Sequence, residues 1–282
     1  MNQILTLRTG RQNPISSFDG DILGQLGKLQ VRLARSENEV ANAQRIRFSV
    51  FHNEFGAKLD NTSMQLERDQ DLFDAYCDHL IVLDTELPGA ESEQIVGTYR
   101  LMRKQNAAKA GGYYSADEFT VASLIARHSK RNFLELGRSC VLPAYRSKRT
   151  IELLWQGIWA YARRNNIDVM IGCASFAGTV PAKHAEALTF LNTHAKARGE
   201  WHIAPLPGRH VDMDMMPEEA INLKSAINKL PPLIKGYLRL GAAFGDGAVV
   251  DPIFKTVDVM VVLPVEHIKQ RYKSYYSERY AA

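Results

Sequence analysis

Three basic side chains precede a predicted helix in the stretch Phe133–Ile151, which reads FLELGRSCVLPAYRSKRTI. Arg146, Lys148 and Arg149 follow a strand-like segment and stand where the helix begins. The first N–H groups of a helix have no partner within it, and the positive end of its dipole favours anions. The pattern indicates a site for a phosphate-bearing ligand, and a solvated basic turn is the alternative.

Glu135 and Arg138 lie in the strand-like segment before this turn. Strict alternation places Glu135, Gly137 and Ser139 on one face of the strand and Arg138 on the other. If Glu135 and Arg138 both line one site, Gly137 must mark a β-bulge, which redirects the side chain after it. Glu135 then suits the role of a general base, and a plain ion pair between Glu135 and Arg138 is the alternative.

Periodic patterns predict the elements that must position these residues. Alternating or continuous apolar runs predict strands at 28–34, 79–84, 95–102, 132–142, 167–174 and 256–263. Helical spacing predicts helices at 36–51, 115–125, 149–165, 182–195 and 233–240, the first of them opened by a capping box of Ser36 and Glu39. Ile151, Leu154 and Trp155 are predicted to face the core. This order predicts an α/β (mixed α+β) fold, a mixed sheet with helices on both faces.

No linker divides the chain, so the sequence predicts one domain over residues 28–265, with an insertion at about 175–230. Residues 1–27 are predicted to form a loosely ordered arm, and residues 266–282 a basic, Tyr-rich tail.

Composition narrows the class of protein. The chain has 282 residues, 45% of them hydrophobic, and a formal charge of +4, which is too small to indicate a nucleic-acid partner. Neither a secretory signal nor an apolar run of membrane-spanning length is visible. Cys77, Cys140 and Cys173 form no disulfide framework, and the histidines form no metal motif. We therefore expect a cytoplasmic protein without a metal.

Residues 141–146 (VLPAYR), followed by a helix, resemble the GNAT superfamily of N-acyltransferases. The resemblance implies that this strand and turn hold the pantetheine arm and phosphates of a thioester donor. The implied donor-binding residues are Ser139, Cys140, Val141, Leu142, Arg146, Ser147, Lys148 and Arg149. The usual glycine-rich turn is missing, which favours a donor without adenosine diphosphate, the acyl carrier protein, whose acidic surface suits basic side chains.

A closer resemblance covers roughly residues 29–263. The segments 47–51 (RFSVF), 71–74 (DLFD) and 135–138 (ELGR) resemble acyl-homoserine-lactone synthases. The segments 231–241 (PPLIKGYLRLG) and 251–254 (DPIF) are similar to the hemolysin-like branch, which includes the L-ornithine N-alpha-acyltransferases of ornithine-lipid synthesis.

This resemblance implies a GNAT-type fold in which the strands at about 133–141 and 168–174 splay apart. It implies transfer of a 3-hydroxylated fatty acyl group from acyl carrier protein to the alpha-amine of L-ornithine, which gives a lyso-ornithine lipid. No cofactor is implied, since 4'-phosphopantetheine arrives on the carrier protein. An amphiphilic product implies peripheral contact with the inner membrane.

Amide formation from a thioester requires a base, an oxyanion site and a proton donor for the leaving thiolate. Glu135, Arg138 and Tyr237 are predicted to be catalytic: Glu135 as the base and, by resemblance, Tyr237 as the donor of a proton to the leaving thiolate. Backbone N–H groups of residues 140–142 are predicted to bind the oxyanion. An ordinary core tyrosine is the alternative for Tyr237.

The acceptor requires complementary charges. An arginine, Arg47 or Arg138, is expected to bind the ornithine carboxylate, and a carboxylate is expected to bind the side-chain ammonium. The remaining predicted substrate-binding residues are Glu54, Asp71 and Asp74 for the ammonium and Phe51 for the acyl chain. Surface salt bridges and a core position for Phe51 are the alternatives.

Two other functions stay open. One is a different enzyme on the same scaffold, either an acyl-homoserine-lactone-type synthase or an acyl-CoA-dependent N-acyltransferase. The other is a non-enzymatic membrane-active protein, which is disfavoured because the sequence has no long amphipathic or spanning segment.

Overall fold

The computed structural model describes residues 22–281 of the chain, with side chains as far as Tyr275. In these residues one sheet of eight strands has the order β1-β2-β3-β4-β5-β6-β8-β7. The strands are β1 (Ile22–Leu26), β2 (Leu29–Leu33), β3 (Asp78–Asp84), β4 (Ile95–Arg103), β5 (Phe133–Val141), β6 (Val169–Ala177), β7 (Ala243–Asp251) and β8 (Thr256–Pro264). Only the pairing of β5 with β6 is parallel, and the other pairs in this sheet are antiparallel.

The helices connect and cover these strands. They are α1 (Glu37–Phe48), α2 (Asn61–Leu66), α3 (Lys104–Ala110), α4 (Val121–Arg127), α5 (Lys148–Arg164), α6 (Ala185–His194), α7 (Leu223–Lys229), α8 (Pro232–Leu240) and α9 (Gln270–Ala281). Over residues 22–281, each helix is too short or too polar to cross a bilayer.

Strand alternation directs side chains to helices on both faces of the sheet. Leu80 and Val82 of β3 belong to the large core that includes α5, whereas Ile81 and Leu83 pack in a separate cluster with Ala43 of α1. Successive residues of a strand point to opposite faces, so one strand supplies both clusters. The mixed sheet with helices on both sides, predicted from the sequence, is confirmed.

The helix begins after Ser36 as predicted, but only half of the predicted capping box forms, and the helix ends differently. The Ser36 hydroxyl accepts a hydrogen bond from the Glu39 N–H at 3.3 Å, but the Glu39 carboxylate binds Arg32 and the N–H of Arg35. Beyond Phe48 the chain continues as a π-helical turn, Ser49–Glu54. Such turns are uncommon and occur often at functional sites.

Several predicted boundaries were wrong. Residues 22–26, assigned to a loose arm, form β1, and residues 1–21 of that arm lie outside the described residues. Ala243–Asp251, left without a strand, forms β7, and the C-terminal tail contains the helix α9. Ile151, expected in the core, is 39% exposed because it faces away from the sheet on α5.

β5 and β6 separate part-way along their length, as the resemblance implied. They pair only from Phe133 opposite Val169 to Glu135 opposite Ile171. At the next residue of β6, Gly172 has a φ of +156°, and a Cβ there would lie 2.3 Å from the carbonyl oxygen of Leu136. Gly172 therefore permits a close backbone approach at the point where the strands part.

Candidate active site

The gap between β5 and β6 opens into a cavity of about 430 Å³. Residues 135–139 of β5 form one side, and Cys173, Ala174 and Ser175 of β6 form the other. Phe51, Phe55, Tyr114, Leu233 and Phe254 add an apolar lining, while Asp251 and Asp258 add carboxylates. The cavity thus combines an apolar wall with groups of both charges, as a site for an amphiphilic substrate requires.

A β-bulge in β5 brings Glu135 and Arg138 to the same cavity. Thr98 of β4 lies opposite Cys140 and Arg100 lies opposite Gly137, so two residues of β5 oppose one of β4. The bulge predicted at Gly137 is confirmed, but the left-handed backbone belongs to Arg138, which has a φ of +52°. A non-glycine residue in this conformation is strained, and such strain clusters at functional sites.

Glu135 is buried and held by the turn that follows α3. Its Oε1 accepts hydrogen bonds from the N–H and the hydroxyl of Ser115, at 2.9 and 2.5 Å, and its Oε2 accepts one from the N–H of Tyr114 at 2.9 Å. Burial raises the pKa of Glu135 above its ordinary value, although these hydrogen bonds oppose the shift. A carboxylate offers about four acceptor sites, so three bonds leave one for a water or an amine.

Three arginines and three aspartates form a network beside the cavity. Arg47 binds Asp74 in a bidentate pair, with both N–O distances 2.8 Å, and its Nε donates to Asp69. Burial alone would raise the pKa of Asp74, but Arg47 and Arg100 hold it below its ordinary value. The members of this network are Arg47, Arg100, Arg138, Asp69, Asp71 and Asp74. Equal numbers of opposite charges satisfy one another here.

Arg138 connects this network to the cavity. Its Nε donates to Asp69 at 3.1 Å and its Nη2 to Asp71 at 3.2 Å. The guanidinium lies 4.5 Å from the ring centroid of Tyr114 and 4.3 Å from that of Phe254. Stacking between two aromatic rings fixes the orientation of the cation.

The structure brings some predicted substrate residues to the cavity and leaves others away from it. Phe51 and Arg138 line it, whereas Arg47, Asp71 and Asp74 are engaged in the network. Glu54 forms a bidentate ion pair with Arg146, with both distances 2.5 Å. The three carboxylates considered for the ammonium are thus each bound to an arginine.

The predicted donor residues lie along β5 and at the start of α5. Ser139 lines the cavity, while Lys148 and Arg149 are exposed at the helix N-terminus. The Ser147 hydroxyl accepts a hydrogen bond from the N–H of Thr150 at 3.2 Å and so caps the helix. The capped helix N-terminus thus presents its basic side chains to the solvent.

The backbone N–H groups of residues 140–142, predicted to bind the oxyanion, point to different edges of the strand. The N–H of Leu142 donates to the carbonyl of Val96 at 2.9 Å, which occupies it. Successive N–H groups of a strand point to opposite edges, so the N–H of Val141 points to the edge that β6 leaves open. Cys140 packs away from the cavity lining, with its Sγ 3.7 Å from the carbonyl oxygen of Ile46, and burial raises the pKa of its thiol to about 12. A thiol in that state is a poor nucleophile.

Tyr237 of α8 is buried beside Trp155. Its hydroxyl lies 3.0 Å from that of Tyr99, which in turn interacts with Ser139 in the cavity wall. Burial raises its pKa well above the ordinary value. Tyr237 is not among the residues that line the cavity, and these two hydroxyls connect it to the lining residue Ser139.

A cluster of buried carboxylates beside the cavity escaped the sequence analysis. Oxygens of Glu118, Asp251 and Asp258 lie within 4.8 Å of one another, close enough to hold one cation. Burial and the neighbouring Glu118 raise the pKa of Asp258 to about 7. Glu118 is far in the sequence from Asp251 and Asp258, and only the DPIF segment, which begins at Asp251, gave a hint of the site.

Comparison with known proteins assigns the family. Residues 46–156 match a family model described as an acetyltransferase (GNAT) domain. The chain is 56% identical over 261 residues to an L-ornithine N(alpha)-acyltransferase of Brucella abortus (strain 2308), with 93% of each chain covered. The chain belongs to the L-ornithine N(alpha)-acyltransferase family. It is therefore an acyltransferase with a GNAT-type fold.

This member of the L-ornithine N(alpha)-acyltransferase family is also similar to a second curated relative and to a solved structure. An L-ornithine N(alpha)-acyltransferase of Agrobacterium fabrum (strain C58) is 54% identical over 255 residues, which cover 90% of this chain and 87% of that one. Among solved structures, FeeM, an N-acyl amino acid synthase from uncultured soil microbes, is 12% identical with a TM-score of 0.49. That similarity covers 84% of this chain and 91% of FeeM.

Proposed function

We propose that this protein transfers a 3-hydroxylated fatty acyl group from acyl carrier protein to the alpha-amine of L-ornithine, giving a lyso-ornithine lipid. The observation that carries the proposal is the 56% identity, over 93% of both chains, to a protein named L-ornithine N(alpha)-acyltransferase. The cavity supports the proposal, because an apolar wall, the guanidinium of Arg138 and the carboxylates of Asp251 and Asp258 all line it.

The reaction forms a C–N bond and breaks a C–S bond. The neutral alpha-amine attacks the thioester carbonyl, and Glu135, acting through a water at its remaining acceptor site, takes the proton that the amine loses. The N–H of Val141 stabilises the negative charge on the carbonyl oxygen. Collapse of the tetrahedral intermediate expels the pantetheine thiolate, which takes up a proton and leaves as the thiol.

Proton delivery to the thiolate is assigned to the hydroxyls that lead from Tyr237 to Ser139. Tyr237, Tyr99 and Ser139 form a chain of interacting hydroxyl groups, the last of which lines the cavity. Ser139 gives its proton to the thiolate and takes one from Tyr99, which in turn takes one from Tyr237. The proton that Glu135 accepted from the amine then restores the hydroxyl of Tyr237, so no proton is gained or lost overall. Between turnovers both tyrosines are protonated, because burial raises their pKa.

Different side chains of the cavity are assigned to the amino acid and to the fatty acyl chain. Arg138, which lies between the rings of Tyr114 and Phe254, is assigned to bind the carboxylate of the amino acid, and its fixed orientation supports this role. The apolar wall that includes Phe51 and Phe55 suits the fatty acyl chain. An arginine already paired with Asp69 and Asp71 keeps its position without substrate, which lowers the entropic cost of binding.

The donor is assigned from the surface at the start of α5. Lys148 and Arg149 are exposed there, and the missing glycine-rich turn leaves no cradle for a pyrophosphate. An acidic carrier protein needs surface cations and no such cradle.

Contact with a membrane is assigned from apolar side chains near the cavity mouth. Phe55, which lines the cavity, is 53% exposed, and Ile253, next to the lining residue Phe254, is 51% exposed. Lys58 and Lys255 are exposed in the same region, where the N–H of Lys58 donates to the carbonyl of Ile253 at 2.7 Å. Apolar and basic groups together favour an anionic bilayer surface, onto which an amphiphilic product can leave.

The activity is tested by incubating purified protein with 3-hydroxyacyl carrier protein and L-ornithine, followed by mass spectrometry of the products. We expect the N-alpha-acylated amino acid. Parallel reactions with the matching acyl-CoA test the donor, and faster transfer from acyl-CoA would contradict the carrier-protein assignment. Formation of no product with ornithine or any other amino acid would overturn the proposed activity.

A double variant and a control variant test whether the surface at the start of α5 binds the carrier protein. Replacing Lys148 and Arg149 together by serine is expected to raise KM for the acyl carrier protein several-fold at low salt, since exposed charges mainly steer association. The rate with a free acyl-pantetheine thioester should stay unchanged. Replacing Lys229, an exposed cation paired with Glu186 on α6, by serine is the matched control. Equal effects of the two changes would contradict a role for the α5 surface.

A further inference from the structure

Glu118 lies beside the β7–β8 hairpin, which carries Asp251 and Asp258, so that three carboxylates come together. Glu118 follows the turn that binds Glu135, Asp251 ends β7 and Asp258 lies near the start of β8. All three are buried, and Asp251 and Asp258 line the cavity. The cluster is thus part of the wall of the same cavity that Arg138 lines.

The existing hydrogen bonds do not satisfy this cluster. Arg209 donates to Oε1 of Glu118 at 3.0 Å, and the N–H groups of Ile253 and Phe254 donate to Oδ1 of Asp251 at 2.7 and 3.0 Å. Asp258 is only 6% exposed, and its buried Oδ1 has no hydrogen-bond partner within residues 22–281. A buried carboxylate oxygen without a donor is costly, so the position favours a ligand that brings N–H groups.

The surroundings favour a monovalent cation over a metal ion. Arg209 already supplies one positive charge to Glu118, and the thiol of Cys173 donates to the other oxygen of that carboxylate at 3.7 Å. Burial raises the pKa of Cys173 well above its ordinary value, so the sulfur stays a neutral thiol rather than a thiolate ligand. An ammonium group fits the remaining charge and donates up to three hydrogen bonds.

We propose that Asp258, together with Asp251 and Glu118, binds the side-chain ammonium of the amino-acid acceptor and so selects a diamino acid over a neutral one. The inference rests on the proposed function, because it concerns the acceptor of that reaction. Arg138 and Asp258 line the same cavity, so the acceptor's carboxylate and its distal ammonium find opposite charges there. Glu54, Asp71 and Asp74 are each bound to an arginine, whereas Oδ1 of Asp258 has no hydrogen-bond partner within residues 22–281.

The test compares two acceptors that differ only in the distal amine. L-ornithine and L-norvaline have the same carbon chain, and both carry the alpha-amine that reacts. For the unaltered protein with 3-hydroxyacyl carrier protein, we expect a much higher kcat/KM for ornithine. In the variant Asp258→Asn, kcat/KM for ornithine should fall roughly 30- to 300-fold, mainly through KM, as expected for loss of a buried charge partner. The value for norvaline should change less than about 3-fold.

The controls separate this inference from the proposed function. Glu266→Gln removes a carboxylate that forms a half-exposed ion pair with Arg131, and it should leave both acceptors unaffected. An unchanged preference for ornithine in folded Asp258→Asn would overturn the inference, as would equal losses for both acceptors or loss of ornithine transfer on treatment with a metal chelator. If the unaltered protein acylates neither amino acid, the proposed function itself fails.

Discussion

The carboxylate of Glu135 accepts hydrogen bonds from both the N–H and the hydroxyl of Ser115. Together with the bond from Tyr114, these contacts tie the cavity wall on β5 to the turn that carries Glu118 four residues after Tyr114. The residue assigned as the base therefore also fixes the loop on which one member of the carboxylate cluster lies. In the proposed mechanism, the base and the acceptor site therefore share one support.

Glu135→Gln is expected to lower kcat by roughly 10²–10⁴, because the amide cannot take the proton of the amine. It should also lower the free energy of unfolding by about 1–3 kcal/mol, since the Gln –NH₂ would face an N–H donor that loses its acceptor. Steady-state rates and urea unfolding measure the two effects.

Ser115→Ala is the matched control, because it removes one hydrogen bond to Glu135 and keeps the carboxylate. Its rate should stay within about 10-fold of the unaltered protein. A loss as large as that of Glu135→Gln would mean that Glu135 only anchors the turn.

Arg47→Ala should reduce the free energy of unfolding by about 3–5 kcal/mol, because it leaves Asp69 and Asp74 buried without their main partner. Urea denaturation measures the loss. By comparison, Glu54→Gln breaks an ion pair with Arg146 that is about one-third exposed, and solvent limits its cost to about 0–1 kcal/mol. Similar losses in the two variants would contradict a structural network at Arg47.

The raised pKa of Asp258 leads us to expect that the stability of the protein depends on pH in an unusual way. Its pKa is raised to about 7 in the folded protein, so between about pH 4 and pH 7 the folded state holds a proton that the unfolded state has released. The contribution of this group to stability falls as the pH rises through that window. The charged groups around it are Glu118, Asp251 and, through Glu118, Arg209, with the thiol of Cys173 neutral throughout.

Asp258→Asn should therefore raise the free energy of unfolding at pH 8, by up to about 4 kcal/mol, and have almost no effect near pH 4. Thermal unfolding at the two pH values measures the difference. An equal effect at both pH values would show that the carboxyl group titrates normally.

Gly172→Ala tests the separation of β5 from β6. The new Cβ would lie 2.3 Å from the carbonyl oxygen of Leu136, so either strand must shift, at a cost of about 1–3 kcal/mol, with a loss of activity. Gly236→Ala on α8 is the opposite case: its Cβ would have an ordinary contact, 3.6 Å from Trp155, and alanine favours a helix by about 1 kcal/mol. Calorimetry should therefore give shifts of opposite sign, and a neutral Gly172→Ala would contradict the close approach.

The parts of the fold that the sequence predicted well are those set by local chemistry. The Ser36 cap, the buried β3 and the bulge near Gly137 each follow from residues that are neighbours in the chain. β7 was missed because glycines at 245 and 247 and an aspartate at 246 interrupt its apolar pattern, and tertiary pairing with β8 overrides that weak preference.

Charge pairing in the candidate site was the part that the sequence could not predict. Asp71 and Asp74 looked available for an ammonium, but Arg100, 26 to 29 residues further on, binds both of them. Glu118 and Asp258 are separated by 140 residues, and no local pattern relates two carboxylates that meet only through the order of strands in the sheet. Which carboxylates remain free is a property of the tertiary structure.

Two of the segments that line the cavity between β5 and β6 come from well-separated parts of the chain. The bulged strand with Glu135 lies within residues 46–156, the portion shared with the wider superfamily, whereas the hairpin of β7 and β8, with Asp251 and Asp258, lies about a hundred residues beyond it. On the proposed division of roles, a chimaera that keeps residues 46–156 and receives this hairpin from a relative is expected to keep the acyl transfer and to change the amine that is preferred.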